Sequence, residues 1–129
     1  MIDIENELYT HIKSLLPSSV TFSPEYVRTP STFPFVSMDV KDNTLYNPDS
    51  SGSEKFCRIM VQFDFYSNKK SGKKQECKTF VKTVDTAMNA IGFSRTSLSP
   101  TPNLEDSTIF RITSRYTGVV DTNKTIYRG

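Results

Sequence analysis

From Cys57 to Phe65 apolar residues recur at every second position. Cys57, Ile59, Val61, Phe63 and Phe65 fall on one side, and Arg58, Gln62 and Asp64 on the other. A period of two sends successive side chains to opposite faces of a strand. Consecutive apolar positions on one face need a continuous cover, so the stretch predicts an antiparallel sheet with one covered face. The cover is close by in the sequence. After Ser67-Asn68-Lys69-Lys70-Ser71-Gly72-Lys73, a helical stripe of Cys77, Phe80, Val81, Val84, Met88 and Ile91 follows, with Gly92 placed to close the helix.

The other segments fit around that pair. Ile4, Leu8, Ile12, Leu15 and Leu16 recur at helical spacing, Glu5 and Glu7 suit the positive end of the helix dipole, and Pro17 stops the run. Pro17, Pro24, Pro30 and Pro34 make residues 17–34 an irregular or edge connection, with room for a short extended piece around Val20–Phe22. Val36, Met38 and Val40 alternate in a strand over Phe35–Lys41, and Asp42–Glu54 reads as a long polar loop. Two more extended segments, Phe93–Ser99 and Thr108–Val120, precede a last piece at Thr125-Ile126-Tyr127, which reads as a strand or a tail. The expected fold class is α+β: an antiparallel sheet of about four strands with two amphipathic helices packed on one face. Residues 1–129 form one domain, with 121–129 as an extended arm.

Composition narrows the function classes. A chain of 129 residues supports one core without disulfide or metal staples. Its net charge of +2 is not that of a dedicated nucleic-acid reader. No apolar run approaches the length of a membrane span, and Met1-Ile2-Asp3-Ile4-Glu5 has neither the basic start nor the apolar stretch of a signal peptide. Cys57 and Cys77 belong to no CxxC motif, which fits a reduced site of synthesis.

The candidate chemistry is sparse. His11 is the one histidine and lies beside an apolar stripe, while both cysteines sit on inward faces and read as small core residues. Those residues cannot supply a four-ligand zinc cage. Asp39 and Asp64 are expected on a solvated outer sheet face, where a pair of carboxylates could at most hold magnesium. Asp49 with Glu76 and Lys78 imitates a metal-dependent nuclease pattern, but that chemistry needs the latter pair on a strand, and here they open a helix. The basic cluster Lys69, Lys70, Lys73, Lys74 and Lys78 is the strongest charge feature. It suits either a solvated turn or a contact with an acidic partner or passing phosphates. No catalytic, cofactor or metal site is expected.

Four stretches carry a family resemblance: Phe35-Val36-Ser37, the run Val61-Gln62-Phe63-Asp64-Phe65-Tyr66-Ser67-Asn68-Lys69, then Phe93-Ser94-Arg95-Thr96, and Pro102-Asn103-Leu104 with Arg111-Ile112-Thr113-Ser114-Arg115-Tyr116. In these the chain resembles the minor capsid or tail-completion (tail terminator) proteins of long-tailed phages and prophages of Gram-positive bacteria, over roughly residues 4–128. The resemblance implies a structural virion protein, assembled in the host bacterial cytoplasm. It would be a ring subunit, commonly a hexamer, that caps the head-proximal end of the tail tube, stops its growth and joins it to the neck. Its partners would be further copies of itself, the tail tube protein and neck or head-closure proteins, with DNA passing through the ring and no sequence-specific binding. A head-closure or neck adaptor is the alternative reading; a small nuclease or a DNA-binding module is a rival of another class. The expected partner or subunit contacts are Asn47, Asp49, Lys69, Lys70, Lys73 and Lys74. Ile126, Tyr127 and Arg128 join them as a tail that adds to a neighbour's sheet edge.

Overall fold

The computed structural model of the chain describes residues 3–25, 30, 32–46, 56–101, 108–121, 124 and 126–127. The alternating stretch becomes β3 (Phe56–Ser67), flanked by β2 (Phe35–Tyr46) and β5 (Phe110–Asp121), both antiparallel to it. Two short strands complete the path: β1 (Thr21–Ser23) beside β2, and β4 (Ser94–Pro100) beside β5, giving the order β1-β2-β3-β5-β4. The last strand, β6 (Ile126–Tyr127), pairs with the far end of β5. The architecture is α+β, a mainly antiparallel sheet with two helices, α1 (Glu5–Leu15) and α2 (Lys73–Ala90). β1 makes the sheet mixed, because it runs parallel to β2. Among the described residues no helix is long and apolar enough to cross a membrane.

Both helices bury into one core with the inward face of the sheet. Cys57, Ile59, Val61, Phe63 and Phe65 of β3 meet Leu8 and Ile12 of α1 and Cys77, Phe80, Val81, Val84 and Met88 of α2. Burying each large aliphatic or aromatic side chain contributes about 1.5–3 kcal/mol. Leu15 departs from the expected stripe: it is 48% exposed, and Leu16, one residue later, is the buried member. Tyr9 fastens α1 to β1 by stacking on Phe22 with ring centroids 4.7 Å apart and donating its hydroxyl to the Phe22 carbonyl at 3.0 Å.

Gly92 closes α2 as its position in the sequence suggests. With φ at +102°, its N–H reaches the Asn89 carbonyl at 3.2 Å, and the Phe93 N–H reaches the Met88 carbonyl at 2.9 Å. This paired closure satisfies carbonyls that the helix end would otherwise leave free. It also aims Phe93 at β5, where the ring lies against Gly118; a Cβ there would come within 2.8 Å of the ring.

Two expectations change. The strand starting at Phe35 continues to Tyr46, so residues 42–46 are not loop. An irregularity between Val40 and Asp42 absorbs Lys41 and lets pairing with β3 resume at Asp42↔Met60. Asp and Asn disfavour strands only weakly compared with a continuous backbone ladder, so tertiary pairing wins. Of the expected arm, the described residues Lys124, Ile126 and Tyr127 are docked on this domain. β6 pairs Ile126 with Val120 and Tyr127 with Val119, Ile126 packs against the core, and Lys124 Nζ donates to Glu7 of α1 at 2.6 Å.

Candidate functional site

The outer face of the sheet is where the polar residues of β3 and β5 meet. Register places Gln62 opposite Arg115, Asp64 opposite Thr113 and Tyr66 opposite Arg111. Asp64, expected on a solvated face, is fully buried. Burying a carboxylate is costly unless charge and hydrogen bonds replace its water. Here both replace it. Asp64 Oδ1 accepts from Arg111 Nε at 3.0 Å, Arg111 Nη2 at 2.8 Å and Thr113 Oγ1 at 2.6 Å, while Oδ2 accepts from Gln62 Nε2 at 2.9 Å. Arg115 Nε donates to Gln62 Oε1 at 2.8 Å, which fixes the orientation of that amide. Thr113 spends its proton on Asp64, so in the 2.7 Å contact with Thr101 the Thr101 hydroxyl donates.

The result is an interlocked polar ladder across β3 and β5. One end abuts a small apolar cluster of Phe33, Phe35, Tyr66 and Ile109, with the Arg111 guanidinium 5.5 Å from the Tyr66 ring centroid. Asp39, the other candidate carboxylate, pairs with Lys41 at 2.9 Å. Among the described residues, no group of three or more His, Cys, Asp or Glu side chains is placed to hold a metal ion.

A second polar set locks α2 to the inward face. Tyr116 donates its buried hydroxyl to Asp85 Oδ1 at 3.1 Å, Arg95 approaches the same oxygen at 3.4 Å, and Asn89 Nδ2 holds Oδ2 at 3.2 Å. Burial pushes the Tyr116 phenol up to about 12. Burial likewise raises the Cys77 thiol to about 12, and the adjacent Glu76 adds to it. Both cysteines are buried, as expected of core residues, whereas His11 is exposed on α1. Cys57 and Cys77 lie toward opposite ends of β3, since Cys77 Sγ points to the Phe65 carbonyl.

The lysine cluster divides by role. Lys69 and Lys70 are exposed in the turn after β3, Lys73 Nζ donates to the Thr108 carbonyl at 3.0 Å, and Lys74 and Lys78 are exposed on α2. Glu76, on α2 as expected, accepts from Ser67 Oγ at 2.6 Å. Asn47, Asp49 and Arg128 lie outside the described residues; Ile126 and Tyr127 form β6.

Sequence reasoning missed the ladder. Its signal was present, because Gln62 and Asp64 alternate outward on one strand while Arg111, Thr113 and Arg115 do so on another. Pairing the two strands and their register was what remained to be known. No protein-family model and no curated protein matches this chain.

Proposed function

We propose that this chain is a structural, non-enzymatic assembly subunit of a tailed-phage virion. It is a tail terminator whose copies close into a ring at the head-proximal end of the tail tube and join it to the neck. One observation supports this reading most. The two stretches that carry most of the resemblance, residues 61–69 and 111–116, lie chiefly on the adjacent strands β3 and β5 and are joined through Asp64, Arg111, Thr113, Gln62 and Arg115. The outward side chains of the two stretches therefore share one face of the sheet.

The mechanism is geometric. A ring needs the same heterologous contact repeated until it closes, and small angular errors accumulate around it. A face whose side chains are fixed by each other offers such a contact little freedom to vary. The sheet edges are less suited to making that contact, since β1 is 3 residues long and β4 ends at Pro100, which has no N–H to give a new strand.

Co-sedimentation tests the reading. The protein should pellet with assembled tail tubes and stay in the supernatant with portal complexes. Pelleting with portal complexes alone would replace it with the neck-adaptor reading, and pelleting with neither would remove both.

A further inference from the structure

The helix layer carries a surface that ring assembly through the sheet leaves unused, and its features are independent of that assembly. Lys74, Lys78 and Lys82 are exposed at every fourth position of α2. Among the described residues none of the three is paired with a carboxylate. Like charges four apart on a helix repel, and cations in its first turn oppose the helix dipole. The two carboxylates of α2 do not offset this, because both are committed elsewhere. Glu76 accepts from Ser67, and Asp85 is held by Tyr116, Arg95 and Asn89. The exposed side of α2 is thus left cationic at a cost to the helix.

The same side borders an open groove of about 620 Å³ between α1 and α2. Its walls include Leu15, Ala87 and Ala90, with His11 on α1 and Lys82 on α2 at the rim. A step of four residues turns a helix by about 40°. The lysine ridge therefore drifts around α2 and arrives at the groove with Lys82. Leu15, the one residue of the α1 stripe left 48% exposed, lies in that groove.

We propose that the α1–α2 groove binds an acidic amphipathic helix of a partner protein. Its apolar face would lie on Leu15, Ala87 and Ala90, and its carboxylates would meet Lys82 and Lys78. The apolar floor decides between polyanions. A helix can bury side chains there, whereas a nucleic-acid backbone brings phosphates and leaves Leu15 uncovered.

The test uses the full chain and a labelled designed peptide of about 18 residues, with leucines on one face and glutamates beside them at i, i+4 and i+8. Fluorescence anisotropy should show saturable binding, and amide NMR shifts should be confined to α1 and α2. L15E and K82E, both at exposed positions, should each weaken binding by about tenfold or more, while K70A leaves it unchanged. A peptide with leucines replaced by serine should bind at least about tenfold more weakly. The proposal is overturned by absence of saturable binding or by binding indifferent to L15E and K82E. Displacement of the peptide by duplex DNA of arbitrary sequence would overturn it as well, by assigning the surface to phosphates.

Discussion

One oxygen of the Asp64 carboxylate accepts both Nε and Nη2 of Arg111, at 3.0 and 2.8 Å, from the neighbouring strand. Removing the carboxylate leaves the buried Gln62 amide and the Thr113 hydroxyl without their acceptor and takes two hydrogen bonds from a guanidinium that is 17% exposed. Asp64→Ala should therefore destabilise the protein by about 3–5 kcal/mol, read from the urea midpoint. Replacing both partners with apolar residues, as in D64L/R111M, should recover much of that loss, because neither member of the pair is then buried without the other. A double variant as unstable as the single one would show that the ladder does not act through this pair.

Phe93 and Gly118 make a second prediction. The ring is buried and occupies the space that a Cβ at position 118 would need. Gly118→Ala, ordinarily helpful in a strand, should cost about 1–3 kcal/mol here. Phe93→Leu combined with it should soften the penalty, and thermal denaturation of the three variants decides.

Alkaline pH should loosen the core in a defined window. The Tyr116 phenol rises from its ordinary value near 10 to about 12, and the Cys77 thiol also to about 12. For each group the protonated form is favoured in the folded state. The stability they contribute is complete below the unfolded values, declines as pH climbs through roughly 9–12, and is gone above the folded values. Urea midpoints should be level between pH 7 and pH 8.5 and fall beyond. In Tyr116→Phe the fall should be shallower, even though the variant loses the bond to Asp85.

Lys69 and Lys70 are exposed, and no described ion pair involves them. K69A/K70A should leave stability within about 0.5 kcal/mol of the parent. If the turn contributes an electrostatic contact in assembly, the same variant should make tail-tube binding less sensitive to added salt.

The sequence was most informative where a period was long and uninterrupted. Alternation from Cys57 to Phe65 and the stripe from Cys77 to Met88 both placed their residues in the core, and Gly92 marked the end of α2. It was less informative where pairing overrides local preference. Asp42 and Asn43 read as loop, yet β3 holds them in a strand. Asp64 read as solvated because burial on the outer face depends on Arg111, 47 residues away in sequence. Leu15 and Leu16 both fit the α1 stripe, and only packing against α2 and the sheet separates the buried one from the exposed one. Side-chain partners across strands follow from register, which one strand's pattern does not contain.

A tail terminator must end the growth of the tail tube. Electron microscopy of tubes polymerised from the tail tube protein that the proposed function would have this chain cap, with and without the chain, tests that role directly. Termination predicts shorter tubes of narrow length distribution, with extra ring-shaped density at one end of each. Tubes of unaltered length with bare ends would contradict it.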